Sequence, residues 1–184
     1  MLCNAKQSRL LIIDEQERLL AAMAEKPRTQ VLKNTSILLQ AAQALDVSVI
    51  RSEQYPKGLG VTDHSIESQL NDAALKVEKT AFSCCAVPEV AELTHQQVLP
   101  QWILLGIETH VCVLQSALQL KTAGQEVFVV SDACCSRTKG HHKNALARLS
   151  QAGVVISNTE SVLFEWLRDS RHPSFKSLSK LIQS

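Results

Sequence analysis

The stretch ILLGIETHVCVLQSALQL, residues 103–120, decides how this chain folds. It opens with a short apolar run that stops at Gly106, and such a run is typical of a strand buried on both faces. After a polar passage, apolar residues recur at spacings of three and four until Gly124, which predicts a helix over residues 109–123. Cys112 lies where the predicted strand meets the predicted helix. The pattern therefore predicts a strand–helix unit with a thiol at its junction.

Strand-like apolar runs alternate with helix-like patterns along the rest of the chain. Because parallel strands are buried under helices on each face, this alternation predicts a three-layer α/β/α architecture with a parallel sheet. No repeat, low-complexity tract or linker divides the sequence, so we predict a single domain over residues 1–184. The predicted strands are residues 9–13, 47–50, 76–79, 101–105, 126–130 and 154–156. The other predicted helices are residues 29–45, 88–95, 140–152, 159–167 and 173–182.

Composition narrows the classes of partner. The 184 residues, 45% of them hydrophobic, are enough to bury one good core. With 19 basic and 18 acidic side chains the formal charge is +1, so nothing indicates a nucleic acid or a membrane surface as a partner. The first residues lack the order of a signal peptide, and no apolar run approaches the roughly 20 residues that span a bilayer. We therefore expect a cytoplasmic protein.

Six cysteines are spread through a chain that has ample aliphatic residues. Disulfides are neither needed nor expected in a reducing compartment. The adjacent pairs Cys84-Cys85 and Cys134-Cys135 have poor spacing for zinc, and adjacent cysteines seldom reach easy disulfide geometry. We expect neither a metal nor a cofactor, and a redox protein is a weak alternative.

Three reactive side chains follow predicted strands. Asp14 ends the first strand, Lys79 ends the third, and Cys112 stands just past the fourth. Because ligands bind at the carboxyl ends of the strands of such sheets, we expect the three to meet in one cleft. A thiol in the first turn of a helix, near a lysine, is favoured as the thiolate. The combination indicates nucleophilic chemistry.

Each of these residues also has a plain structural interpretation. A free cysteine such as Cys112 is more often a small buried hydrophobe. Asp14 is compatible with a turn or helix cap, and Lys79 with an ordinary solvated lysine. Only the three residues together therefore indicate a reactive site.

Five segments, in order through nearly the whole chain, have the character of a known family. They are LLIIDEQERL, KTAFS, LLGIETHVCVLQSALQL, VFVVSDACCSR and ALARLSQAGVVISNTESVLFEWL. With these segments the sequence resembles the isochorismatase-like cysteine hydrolases, and its loop SEQYPKGLG is similar to that of the small isochorismatase-domain proteins.

The resemblance implies a doubly wound sheet of six parallel strands and a catalytic triad of Asp14, Lys79 and Cys112. It also implies a cis peptide between Ile107 and Glu108, with the backbone N–H groups of Glu108 and Cys112 forming an oxyanion site. In the implied reaction Asp14 takes the thiol proton, Lys79 stabilises the charges and Cys112 attacks a carbonyl carbon. An amine leaves and water hydrolyses the thioester.

Two departures from family patterns narrow the expected substrate. Nicotinamidases of the resembling family carry an Asp-x-His metal motif at the place where this chain has RSEQY, residues 51–55. His64 beside Asp63 is a single histidine without further ligands, so no metal is expected and nicotinamide is a doubtful substrate. Isochorismatases proper lack the nucleophilic cysteine, so Cys112 favours hydrolysis of a small amide or N-carbamoyl compound.

Further residues around the predicted cleft have weaker support. Tyr55 and Phe82 are candidate aromatic walls of a substrate pocket, although core or loop packing explains each equally well. Gln16 is expected to orient Asp14, satisfy the cleft backbone or contact substrate. Glu108 is expected to touch substrate, and bracing of the cleft is favoured for Arg137. The roles of two further polar residues stay open, which are His64 and His110.

Two further hypotheses concern the assembly of the protein and the possibility that it is not an active enzyme. Members of the resembling family are often dimers or larger, so we expect a homo-oligomer, with Trp166 or Phe175 as candidate interface residues. A catalytically silent protein that keeps the fold as a binding or oligomeric scaffold has the same motifs. The sequence leaves both readings open.

Overall fold

A six-stranded parallel sheet forms the centre of the computed structural model, which describes residues 1–95 and 99–183. The strand order is β3-β2-β1-β4-β5-β6, so the chain winds outward from β1 and then from β4 in the opposite direction. This doubly wound parallel sheet confirms the predicted fold class. The strands are β1 (Ser8–Ile13), β2 (Ser48–Gln54), β3 (Leu75–Lys79), β4 (Gln101–Ile107), β5 (Glu126–Cys135) and β6 (Val155–Ser157).

Helices connect the strands and cover the sheet. The longer helices are α2 (Glu25–Ala44), α5 (Pro88–Thr94), α6 (Leu114–Thr122), α7 (Lys139–Gln151), α8 (Thr159–Leu167) and α9 (Phe175–Gln183). Helix α2 packs with α8 and α9, whereas α6 packs with α7, which gives two separate helical groups against the strands. Short helices that the sequence analysis did not predict are α1 (Glu17–Ala21), α3 (Pro56–Leu59) and α4 (His64–Glu67).

The two central strands hold the core. All residues of β1 and β4 are buried, because each strand has a neighbour on both sides and helices above and below. The edge strand β3 alternates between exposed and buried positions toward its carboxyl end. The continuous apolar runs of the sequence therefore correspond to the middle of the sheet.

Glycine is required where β4 approaches β1. Gly106 has a positive φ of 116°, and a Cβ atom there would lie 2.1 Å from the carbonyl oxygen of Ile13. A side chain at this position would force the two strand ends apart. Gly106 thus lets the ends of β1 and β4, which precede Asp14 and Glu108, lie close together.

Strand β2 is longer than predicted. The polar residues 51–54 were expected to be a loop, but they continue the ladder, with Ser52 level with Ile13 on one side and Val77 on the other. Polar side chains are tolerated there because each has a polar partner, as Ser52 has in Asp14 and Glu53 has in Thr62. The expected boundary at Ile50 was therefore wrong.

The helix predicted over residues 109–123 has two parts. Thr109–Val113 form a π-helical turn, and the regular helix α6 begins only at Leu114. The N–H of Val113 donates to the carbonyl of Glu108, five residues earlier. Cys112 therefore lies in a widened turn, a feature that occurs often at functional sites, and not in the first turn of an α-helix.

Of the two candidate interface residues near the C-terminus, Trp166 belongs to the fold interior. Trp166 is only 4% exposed, and its indole N–H donates to Ser8 Oγ over 3.1 Å. Phe175 packs partly buried on the core and lies 6.2 Å from the Phe164 ring. This corrects the expectation that Trp166 is available to another subunit. None of the helices within the described residues has the length and apolar character needed to cross a membrane.

Replacing Glu15 by glutamine is expected to make the protein more stable at neutral and alkaline pH. Glu15 is fully buried and accepts a hydrogen bond from Thr35, and its second carboxyl oxygen has no hydrogen-bond partner among the residues that the structure describes. Burial, with a smaller contribution from Asp63, raises its pKa from 4.5 to about 8. Between these values the folded state holds a proton that the unfolded state has lost. The free energy of unfolding should therefore fall with rising pH by up to about 1.4 kcal/mol per pH unit.

Urea unfolding from pH 4.5 to 8.5 measures this slope. The Glu15→Gln variant should lose this pH-dependent component, whereas Glu25→Gln on the exposed start of α2 should keep the wild-type slope. Equal slopes in wild type and Glu15→Gln would contradict the protonated state of Glu15.

Candidate active site

The three predicted reactive residues meet at the carboxyl edge of the sheet. Asp14 follows β1, and Cys112 follows β4, so both flank the point where the winding reverses. Lys79 ends β3, two strands away from β1, and its long side chain reaches across β2. The Lys79 ammonium lies 2.7 Å from Asp14 Oδ2. Asp14 is fully buried, while Lys79 and Cys112 are each only 5% exposed.

Hydrogen bonds fix the ion pair between Asp14 and Lys79. Besides Asp14, the ammonium donates to Gln54 Oε1 over 2.6 Å and to the carbonyl oxygen of Phe82 over 3.1 Å. The other carboxylate oxygen of Asp14 accepts from Ser52 Oγ over 2.7 Å. All three ammonium N–H groups are therefore engaged, and the solvated-lysine interpretation does not describe Lys79.

The backbone at Asp14 explains how its side chain enters this cluster. Asp14 has a positive φ of 54°, and its N–H donates to the carbonyl oxygen of Ser52 over 3.1 Å. The left-handed conformation turns the chain sharply after β1, and aspartate tolerates it better than most residues. Asp14 consequently faces Lys79, while Glu15 bonds to Thr35 on α2.

Burial dominates the protonation of the cluster. It raises the pKa of Asp14 despite the opposing effects of Lys79 and Ser52. Burial acts to lower the pKa of Lys79, but Asp14 and two thiols, Cys84 and Cys112, outweigh it and leave that pKa raised. A buried carboxylate beside a buried ammonium is thereby set up as a base that can accept a proton.

The resting state of Cys112 differs from the expectation. Burial, followed by the charge of Asp14 and a hydrogen bond to its carboxylate, raises the pKa of the Cys112 thiol well above its ordinary value. This direction is opposite to the predicted preference for a resting thiolate, which was argued from a helix start and a nearby lysine. The raised pKa favours the protonated thiol, and the Asp14 carboxylate lies near enough to contribute to the shift.

The turn before Cys112 is braced by charged and polar contacts. The peptide bond between Ile107 and Glu108 is cis. The N–H and the guanidinium of Arg137 both donate to Glu108 Oε2, over 3.0 and 3.1 Å. His110 lies 3.0 Å from Ser136 Oγ and stacks on His141 with ring centroids 4.4 Å apart. These contacts hold the turn against the start of α7.

Of the candidate substrate-binding residues, two aromatic side chains lie at the surface. Tyr55 is 54% exposed and Phe82 is 52% exposed, and both are tied through their backbones to Lys79. A cavity of about 360 Å³ lies beside Tyr55, and its lining includes Tyr55, Lys57 and Lys79. Gln16 is fully buried, and its amide bonds to the backbone of Gln54 and to the carbonyl of Gly60. The Gln16 side chain thus satisfies hydrogen-bonding groups of the backbone beside the cleft.

Several contacts of the cluster were not predicted from the sequence. Ser52 and Gln54 fell in a segment expected to be a loop, although the spacing of two from Ile50 is a strand signal. Cys84 Sγ lies 3.5 Å from Ser52 Oγ, and its N–H donates to Ser116 Oγ, one helical turn after Cys112. Only the tertiary structure brings these polar groups together.

The remaining polar candidate, His64, takes no part in this cluster. It opens α4 next to Asp63, whose carboxylate caps the helix by accepting from Ser65. Within residues 1–95 and 99–183, no group of three or more His, Cys, Asp and Glu is arranged to hold a metal ion.

Comparisons with known proteins identify the family. The family model described as isochorismatase domain matches residues 8–161, so the chain belongs to the isochorismatase-domain family. Isochorismatase domain-containing protein 2A of Mus musculus is 37% identical over 179 residues, which cover 97% of this chain and 84% of the mouse protein. Isochorismatase domain-containing protein 2 of Danio rerio is 38% identical over 180 residues, or 97% and 88% of the two chains.

A solved structure has the same fold throughout. The MAR1 ribonuclease of Caenorhabditis elegans superposes with a TM-score of 0.93 and 33% identity. The match covers 100% of this chain and 93% of the nematode protein. The two proteins thus share one overall fold.

Proposed function

We propose that this protein is a cysteine hydrolase that cleaves a carbonyl C–N bond in a small amide or N-carbamoyl compound. The observation that carries the proposal is the buried ion pair of Asp14 and Lys79, 2.7 Å apart, with the buried Cys112 thiol near enough for both charges to shift its pKa. A base, a cation and a nucleophile gathered at one place match the requirements of acyl transfer through a thioester.

The reaction begins with proton transfer from Cys112 to Asp14. The thiolate attacks the carbonyl carbon and forms a C–S bond, while the carbonyl oxygen becomes an oxyanion near the backbone N–H groups of Glu108 and Cys112. Lys79 stabilises the thiolate because its positive charge is no longer balanced by a charged Asp14. Collapse of the intermediate breaks the C–N bond, and Asp14 returns the proton to the departing nitrogen.

Water completes the cycle by hydrolysing the thioester. Asp14, again a carboxylate, removes a proton from the attacking water, and the C–S bond breaks. Asp14 then returns that proton to the Cys112 sulfur, so the enzyme regains its resting state. The products are an amine or ammonia and a carboxylic or carbamic acid.

The recessed position of the nucleophile supports a small substrate. Cys112 is only 5% exposed, whereas Tyr55 and Phe82 stand at the surface near Lys79. A compact carbonyl compound fits such a site better than a polymer does. The name of the nematode protein raises RNA as another substrate, but a net charge of +1 supplies little attraction for a phosphate backbone. We further propose a homo-oligomer, to be tested by sedimentation.

One observation favours the scaffold alternative. The same low exposure of Cys112 is expected of a closed pocket in a protein that has lost activity. Under that alternative Cys112 contributes packing, and the fold serves binding or assembly.

A panel assay is expected to detect ammonia or amine release from at least one small amide or N-carbamoyl compound. The reason is that the acyl group must pass through Cys112, so turnover should be accompanied by a thioester adduct in the intact mass of the protein. Single-stranded RNA is included in the panel. Release without any adduct, or cleavage of RNA alone, would contradict the proposal, and no turnover with any compound would favour the scaffold.

A further inference from the structure

Gln54 is the second side chain that holds the Lys79 ammonium. Its Oε1 accepts from Lys79 Nζ over 2.6 Å, as short a contact as the 2.7 Å ion pair with Asp14. Gln54 is level with Lys79 in the β2–β3 ladder and is only 8% exposed. The amide therefore meets the ammonium inside the protein, where a hydrogen bond is strengthened by the low dielectric.

The orientation of the Gln54 amide is determined by its two partners. Its Nε2 donates to the carbonyl oxygen of Thr80 over 2.7 Å. A carbonyl only accepts and an ammonium only donates, so the amide nitrogen must face Thr80 and the amide oxygen must face Lys79. Glutamine satisfies both partners at once, and an ionised glutamate of the same size cannot donate to Thr80.

The backbone of Gln54 is held as firmly as its side chain. Its N–H donates to Gln16 Oε1 over 2.7 Å, and its carbonyl accepts from Gln16 Nε2 over 3.0 Å. Gln16 follows Asp14 by two residues, so these bonds tie the end of β2 to the turn that carries the base. Lys79 and Asp14 are thus positioned through one connected set of contacts.

We propose that Gln54 is a positioning residue for Lys79, a neutral acceptor that holds the ammonium beside Asp14 and leaves its charge available to the Cys112 thiolate. The inference rests on the proposed function. When Asp14 takes the thiol proton, the only remaining charges among these groups are Lys79 and the thiolate. A carboxylate at position 54 would neutralise Lys79 at that moment and oppose formation of the thiolate.

The test is the pH profile of Cys112 alkylation by iodoacetamide, which needs no substrate. Gln54→Glu adds a charge at nearly constant shape, and it is expected to move the profile about one unit to higher pH, with alkylation about tenfold slower below the midpoint. Gln54→Met keeps the site neutral but removes the acceptor. It is expected to slow alkylation by about threefold without moving the profile, because Lys79 leaves Asp14 more often.

Gln40→Glu makes the same change on the exposed face of α2 and should match wild type. Circular dichroism and thermal melting establish that each variant is folded. If one of the two Gln54 variants does not fold, the result for the other is sufficient to test the inference. A wild-type profile for Gln54→Glu, a wild-type rate for Gln54→Met, or no alkylation of Cys112 in the native wild-type protein would each overturn the inference. Reactive Cys112 without hydrolysis of any amide would instead refute only the proposed function.

Discussion

Replacing Cys112 by alanine is expected to lower kcat/KM for the best amide substrate by about a thousandfold or more. The reason is that the proposed acyl-enzyme forms on Cys112, so only binding and the proposed oxyanion site would remain to assist attack by water. The loss should appear in steady-state amine release, and the thioester adduct should be absent from intact-mass spectra. Stability should change by only about 1 kcal/mol, since the thiol is small.

Cys3→Ala is the matched control for this variant. Cys3 is also fully buried, but it bonds to the carbonyl of Val162 on α8, far from the strand ends that hold the site. Its activity should equal that of wild type. Turnover retained by Cys112→Ala would remove Cys112 as the nucleophile and leave the packing interpretation in its place.

Replacing Lys79 by methionine is expected to destabilise the protein by about 3–5 kcal/mol near neutral pH and to abolish turnover. The substitution leaves the fully buried carboxylate of Asp14 without its counter-ion. Asp14 then binds a proton in the folded state at pH values where the unfolded chain has released it. The destabilisation should therefore be smallest in acid and should grow as the pH rises.

Urea unfolding at pH 5 and pH 8 tests this dependence. Lys26→Met, on the exposed surface of α2, is the control and should change stability little at either pH. Adding Asp14→Asn to Lys79→Met should restore part of the lost stability, because it removes the unpaired charge. Additive losses in the double variant would show that the two groups do not stabilise each other.

The sequence alone predicted the class of fold and the catalytic triad as a hypothesis. Apolar runs such as residues 103–105 predicted strands correctly because central parallel strands are buried on both faces. Asp14, Lys79 and Cys112 were found because functional groups collect at the carboxyl ends of such strands. Local pattern carries this information, since each residue's position relative to its own strand can be read from its neighbours.

The contacts that tune the site could not be read in this way. Ser52 and Gln54 belong to a polar segment with only a short strand-like spacing, and pairing with β1 and β3 is what places Gln54 level with Lys79. The direction of the Cys112 pKa depends on burial and on Asp14, which lies 98 residues earlier in the chain. Strand pattern, a local property, was therefore determined by the sequence itself. Protonation and hydrogen bonding were decided by the tertiary structure, because both depend on how residues distant in sequence exclude water and approach one another.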